Sequence, residues 1–417
     1  GDDGADWFMS VAQVEVAADL TDNVSVVINI YNQRDWNANQ WIISNNTSNI
    51  GNEFDLGVDL AYVQLKEAFY APLTLTIGRQ DIEFGRGFVL GNFQIQDPQG
   101  TVIADEFSAV TSFDAFRATL DFAPWTIDSV VINPALGGAN QGQGSANAED
   151  DRYVWFNNVN YQFSEYNAEW EGYFAVDHDR ATNQADAMNT GAIEKTWMIG
   201  TRAQFDPVQN LTIGGEVAFQ WGESYATSTS VTALDREAWG LDVFGQYTWY
   251  ENAYTPWVGL EYVFLSGDDA TNGTDFGSWN GLFRSPTYGA IFEYLNVLYN
   301  TAANTVDATS PTAASNHQHF SISGGLSPME DLALDATFYW FWTDEDVITA
   351  APANGGNLGQ DVGTELDINV IYDYTEDVTF NLGLAWFMPG DVYGVSTATG
   401  ATTSTATQVT SGVSVVF

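Results

Sequence analysis

Gln408-Val409-Thr410-Ser411-Gly412-Val413-Ser414-Val415-Val416-Phe417 closes the chain, alternating polar and apolar residues up to a terminal aromatic. In an extended strand successive side chains point to opposite faces, so this stretch offers one apolar face and one polar face. A closing strand that puts one face to lipid, the other to a wet lumen, and ends on an outward Phe is how bacterial outer-membrane β-barrels finish. The ending predicts a protein that crosses a membrane with strands.

Working outward, the same period of two recurs along the chain. Leu211, Ile213, Val217, Phe219 and Trp221 fall on one side of a strand, and Thr212, Gly214, Glu216, Ala218 and Gln220 on the other. Leu332 to Trp342 and Val378 to Met388 repeat it with aromatic outer faces, where a soluble sandwich would show shorter, less aromatic strands. Short turn-forming links stand at Thr21 to Asn23, Tyr70 to Pro72, Ala123 to Pro124, Ser164 to Asn167, Asp206 to Asn210, Glu251 to Tyr254, Ser327 to Asp331 and Thr375 to Asp377. Between them lie long stretches rich in Gly, Asn, Ser, Thr and Asp, such as Arg34 to Phe54, Ala135 to Arg152, Ser266 to Asn316 and Pro389 to Thr407. Short periplasmic turns alternating with long extracellular loops are the up-and-down barrel layout, and one barrel domain over 1–417 is expected.

Eight hairpins make sixteen strands and the closing strand a seventeenth. Single-chain barrels hold an even number, so about eighteen is expected, with the first strand upstream of Gly1 or an irregular one hidden in Gly85 to Ser112. Trp249, Tyr250, Tyr254 and Trp257 flank one short turn and Tyr372 and Tyr374 another, while Trp221, Trp340, Trp342 and Trp386 sit near the long loops. Aromatic rings settle at both membrane interfaces, so two girdles follow.

Composition narrows function. The chain has 55 Asp and Glu against 11 Lys and Arg, a formal net charge of -44, which repels nucleic acid and attracts cations. No apolar stretch approaches the roughly 20 residues of a spanning helix. There is no Cys, which removes disulfide scaffolds and thiolate metal sites. No charged and apolar leader opens the sequence, so Gly1 reads as a mature or trimmed end.

Specific words then appear inside the strands: Ala61-Tyr62-Val63-Gln64-Leu65, Leu73-Thr74-Leu75-Thr76-Ile77-Gly78-Arg79-Gln80 and Gly85-Arg86-Gly87. Later come Ser112-Phe113-Asp114-Ala115-Phe116-Arg117, Leu282-Phe283-Arg284-Ser285-Pro286-Thr287-Tyr288-Gly289, Phe341-Trp342, Gly363-Thr364-Glu365-Leu366-Asp367 and Phe387-Met388-Pro389-Gly390-Asp391. In content and order this string resembles the alginate-export family of outer-membrane porins. The resemblance implies an eighteen-stranded monomeric barrel in the outer membrane, touching lipid and lipopolysaccharide. Its alginate exporters are similar to one another in a strongly basic lumen, whereas this sequence holds nine Arg and two Lys, closer to the family's general or solute-specific porins.

If the apolar phase faces lipid, the opposite phase lines the pore with Glu169, Glu171, Glu216, Asp242, Glu261, Asp335, Glu365 and Asp367, and Arg117 and Arg202 are the clearest inward cations. Such an imbalance predicts a cation-favouring field. For any single carboxylate, bracing against Arg117 or Arg202 on a neighbouring strand is the expected use. Arg79 shares parity with Leu73, Leu75 and Ile77, so a bulge at Gly78 or the strand's end must take it out of lipid. Asp81, Glu83 and Arg86 then belong with it to a pore-mouth segment or an inward-folded loop.

Trp279, Phe283, Tyr288, Phe292 and Tyr294 in the Ser266 to Asn316 loop are expected to pack that loop down, with stacking on sugar rings as the alternative. The acidic runs Asp268-Asp269, Glu149-Asp150-Asp151 and Asp344-Glu345-Asp346 lack calcium-loop spacing and read as solvated tips. His317 and His319 share a strand face without a third ligand, and His178 reads as lying in a loop beside no nucleophile. With no phosphate loop or dinucleotide fingerprint, neither enzyme nor cofactor is expected. The sequence points first to a passive channel for cations or small polar, sugar-like solutes. A polysaccharide export pore is the alternative, and a structural or anchoring barrel a second.

Overall fold

The structure is a computed structural model that describes residues 8–36, 56–70, 72–91, 112–133, 152–179, 194–225, 233–268, 275–282, 284–293, 315–347, 359–393 and 404–417. Eighteen strands form one sheet among these residues. They are β1 (Met9–Thr21), β2 (Val24–Asp35), β3 (Gly57–Leu65), β4 (Leu73–Gln80), β5 (Phe113–Phe122), β6 (Trp125–Asn133), β7 (Arg152–Gln162), β8 (Glu169–Asp179) and β9 (Glu194–Val208). There follow β10 (Leu211–Tyr225), β11 (Ala233–Thr248), β12 (Trp257–Leu265), β13 (Asp275–Phe276), β14 (His317–Met329), β15 (Leu332–Trp342), β16 (Asp361–Thr375), β17 (Val378–Pro389) and β18 (Ala406–Val415).

All but β13 are long antiparallel strands, and every short link expected from the sequence lies at the junction of two of them, although β9 and β14 run on through 206–208 and 327–329. The exception, a two-residue strand running parallel to β11 so that β14 pairs with β12, is the eighteenth; it lies in the Ser266 to Asn316 connection rather than upstream of Gly1 or in Gly85 to Ser112, and two residues are too few to show an alternation. Besides breaks between Asn29 and Ile30 and between Phe341 and Trp342, register breaks stand beside the short turns, between Asp19 and Thr21, Leu211 and Ile213, Leu326 and Met329, and Asp373 and Thr375. An extra residue there bends the strand into its turn.

The period-two pattern is the cause of the sheet's two faces. Along β11, Arg236, Ala238, Gly240 and Asp242 are buried while Glu237, Trp239 and Val243 are exposed. Along β10, Glu216, Ala218, Gln220 and Ser224 are buried while Phe219 and Trp221 are exposed. Polar residues inside and aromatic residues outside is the inverse of a soluble protein, and is stable only where the outer face meets hydrocarbon. Two outward tryptophans satisfy their indole N–H on the next strand: Trp155 Nε1 donates to Ser129 Oγ at 3.2 Å and Trp170 Nε1 to Thr201 Oγ1 at 3.0 Å. At the short-turn end Trp249, Tyr250 and Tyr254 stand exposed, as do Tyr372 and Tyr374.

The chain divides into two compact units. Unit 1 comprises Gly1–Val159, Ala175–Thr182 and Leu282–Pro286; unit 2 comprises Asn160–Phe174, Asn183–Gly281 and Thr287–Phe417. In unit 1 the apolar core gathers Ile82, Phe88, Val89 and Leu90 from the connection after β4 with Phe113, Ile132, Val154 and Phe156 from β5 to β7. In unit 2 it gathers Tyr288 and Phe292 from the connection after β13 with Phe341 and Phe387 from β15 and β17. Each unit thus folds a stretch of long connection onto the buried face of its own strands.

Candidate functional site

In unit 1, Arg117 on β5 turns to the neighbouring strand, its Nε donating to Asp128 Oδ1 on β6 at 2.8 Å. Phe84 lies against the guanidinium, 5.3 Å from ring centroid to Cζ, and stacks on Phe156 at 4.9 Å. The segment 81–91 therefore packs on β5 and β7. It turns on itself through Gly87 N–H to Phe84 O (2.9 Å) and Phe84 N–H to Leu90 O (3.0 Å).

Of the residues expected at a mouth, Asp81 and Glu83 are exposed and Arg86 half-buried on this folded segment. Ser285 joins them: its Oγ donates to Glu83 Oε2 at 2.7 Å and its N–H to Gly87 O at 2.7 Å. A Cβ on Gly87 would stand 2.5 Å from Ser285 Cβ, so the close approach needs glycine.

Arg79 is the penultimate residue of β4. Its Nε donates to Asp59 O at 3.0 Å, and its Nη1 lies 3.7 Å from Asp114 Oδ2, directly opposite on β5. The pairing of β4 with β5 shows no register break, so the strand's end rather than a bulge resolves the parity; Gly78 contributes a φ of 122° just before it. A cation on the outer face is tolerable at a strand end and costly at mid-depth.

In unit 2 a charged row crosses four strands. Arg202 on β9 is 6% exposed; its Nη1 donates to Glu171 (2.8 Å) and Glu169 (3.2 Å) on β8, and its Nη2 to Gln204 Oε1 (2.8 Å). Opposite Arg202 in the register stands Glu216 on β10, and opposite Glu216 stands Asp242 on β11, both buried. Tyr173 Oη donates to Glu216 Oε1 at 2.7 Å. Arg202 and Glu171 are both buried, so their charge-assisted bond is a strong one, while Glu169, 26% exposed, is partly solvated.

Glu365 and Asp367 on β16 do something else. Glu365 Oε1 accepts Ile291 N–H (2.6 Å), Glu365 Oε2 accepts Phe292 N–H (2.9 Å), and Asp367 Oδ2 accepts Ala290 N–H (3.0 Å). Glu261 Oε2 lies 3.7 Å from His319 Nε2, and Asp335 Oδ2 accepts Asn369 Nδ2–H at 3.0 Å. His317 Nε2 and His319 Nδ1 are 2.9 Å apart, buried, with Tyr288 stacked on His317 at 5.2 Å. The pair is part of a packed wall, and no group of three or more metal-ligating side chains occurs among the described residues.

Trp279, Tyr288 and Phe292 are all buried, which is the packing use of the loop aromatics; Phe283 and Tyr294 lie outside the described residues. Glu149, Asp150, Asp151 and Asp269 also lie outside them. Asp344 is no bare solvated tip, since its Oδ2 accepts Gly267 N–H at 2.9 Å. His178 belongs to strand β8 rather than a loop, because the alternation of Glu171, Tyr173, Ala175 and Asp177 carries the strand past it.

Two cations escaped the sequence reading. Arg152 on β7 bonds Asp177 on β8 twice, Nε to Oδ1 at 2.9 Å and Nη2 to Oδ2 at 2.8 Å. Arg236 on β11 donates to Glu194 Oε1 (2.6 Å), Ser224 Oγ (2.9 Å) and the Ser278 carbonyl (2.7 Å). Parity alone would have found both: Arg152 shares a face with Val154 and Phe156, and Arg236 with Asp242.

No curated protein matches the sequence. Among solved structures the chain is similar to OccK11 (OpdR) of Pseudomonas aeruginosa, at 10% identity and a TM-score of 0.51, with 92% of this chain and 85% of that one covered. It is similar to OpdK of the same organism, solved with vanillate, at 11% identity and a TM-score of 0.51, covering 92% and 89%. OccK2 (OpdF), solved in complex with glucuronate, gives 11% identity and a TM-score of 0.50, covering 99% and 93%. At such identities the likeness shows the fold alone, an antiparallel β-barrel. The Alginate export family model matches residues 8–407, so the chain belongs to that family: it is a porin-like outer-membrane β-barrel channel and not an enzyme.

Proposed function

We propose that the protein is a passive channel favouring cations and small polar, sugar-like solutes. The observation that carries this is the acid excess on the buried face of unit 2. Arg202 is shared by Glu169 and Glu171 while Glu216 and Asp242 follow in the same row. Asp335 accepts a side-chain amide, a bond that brings no cation, while Glu365, fully buried and occupied by backbone amides, adds nothing to that excess. Carboxylates outnumbering cations raise the local concentration of cations and penalise anions. The reading takes 1–417 as one barrel acting as a monomer in contact with lipid and lipopolysaccharide. Its small-solute part borrows a size class from OccK2 and OpdK, solved with glucuronate and vanillate.

The family match favours a second reading, export of an anionic polysaccharide. Such cargo needs inward cations left available to it, and Arg117, Arg152, Arg202 and Arg236 each bond a carboxylate of their own unit. Liposome swelling separates the two. Glucosamine, glucose and glucuronate are close in size and differ in charge, and swelling is expected to be fastest with glucosamine and slowest with glucuronate. Fastest swelling with glucuronate would reject the cation reading and support the export reading.

A further inference from the structure

Three consecutive backbone N–H groups, those of Ala290, Ile291 and Phe292, point at two carboxylates of one strand, Asp367 and Glu365. Glu365 takes one amide on each oxygen, which fixes both the position and the tilt of the segment it holds. The segment is braced from within, Glu293 Oε2 accepting Tyr288 N–H at 3.0 Å. Beneath it Phe292 stacks on Phe341 at 4.1 Å and Tyr288 on His317. Gly289, at φ 84°, lets the chain pass so close that a Cβ there would lie 2.8 Å from Glu365 Oε2.

Glu365 is 0% exposed. A buried carboxylate is costly unless its oxygens are bonded, so strap and carboxylate hold each other in place. The same connection is sewn to β10 and β11 in a like manner, Gln220 bonding both the N–H and the carbonyl of Asn280, and Arg236 the carbonyl of Ser278. Throughout, the wall supplies side chains and the strap supplies backbone.

We propose that Glu365, assisted by Asp367, is the positioning residue for the strap 287–293, and that the strap sets the largest solute the channel admits. The proposal rests on the channel reading above. Its test is single-channel conductance with polyethylene glycols of graded size, run on the wild type, Glu365→Gln, Asp367→Asn and Gly289→Ala. Glu365→Gln turns an NH2 toward an amide N–H, and Gly289→Ala pushes on the same bond from the strap side.

Each variant is expected to raise conductance, roughly twofold or more for Glu365→Gln, and to admit larger polymers. A purely structural role would lower the urea unfolding midpoint and leave conductance and polymer cut-off at wild-type values, which overturns the proposal and spares the channel reading. Variants that conduct beside a closed wild type would support the strap and reject a constitutively open channel. Silence from wild type and all variants alike overturns both. If Glu365→Gln does not fold, Asp367→Asn and Gly289→Ala carry the same outcomes.

Discussion

Replacing Arg202 by Met should cost about 3 to 5 kcal/mol of barrel stability, the usual penalty for removing one partner of a buried ion pair. The guanidinium bonds Glu169 and Glu171 directly and stands opposite Glu216 in the register, so its loss strips two carboxylates of their cation in a row that already holds four. A methionine fills much the same volume, which isolates charge from packing. The measurement is the urea midpoint followed by tryptophan fluorescence in detergent, and the double variant Arg202→Met with Glu171→Gln should recover part of the loss because the two sites share one bond. An unchanged midpoint in the single variant would mean that the row is solvated and braces nothing.

Phe219→Arg is the second large effect. Phe219 lies near the middle of β10, half exposed, and faces the same way as Ile199 and Trp239, its partners on β9 and β11. All three apolar side chains point away from the buried row, and a cation placed among them at mid-depth should cost about 2 to 4 kcal/mol. Phe219→Leu keeps the face apolar and should cost far less. Folding yields into lipid vesicles, read by the gel shift between unheated and boiled protein, distinguish the two. Equal yields would place Phe219 outside hydrocarbon and undo the assignment of the faces.

The fold was legible because a membrane barrel writes its geometry in an unusually plain form. Alternation from Leu211 to Trp221 fixes which face of β10 meets lipid, and each short link, Ala123 to Pro124 or Thr375 to Asp377 among them, falls where β5 meets β6 or β16 meets β17. The pairing of Arg117 and Arg202 with adjacent strands followed from the same parity.

What stayed hidden is the role of Glu365 and Asp367. Their partners are backbone amides, which any residue of the strap supplies, so no side chain in 287–293 advertises the contact. Arg79 shows the opposite case, where one anomalous charge on an apolar face announced the end of β4.

Cation preference set by the carboxylates of the wet face can be read directly from a current. Purified protein in a planar bilayer under a potassium chloride gradient tests it through the reversal potential. The acid excess in unit 2 calls for a reversal on the potassium side, with a permeability ratio of potassium over chloride of roughly threefold or more. Reversal on the chloride side would contradict the account, since the inward arginines, and not the carboxylates around them, would then govern what passes.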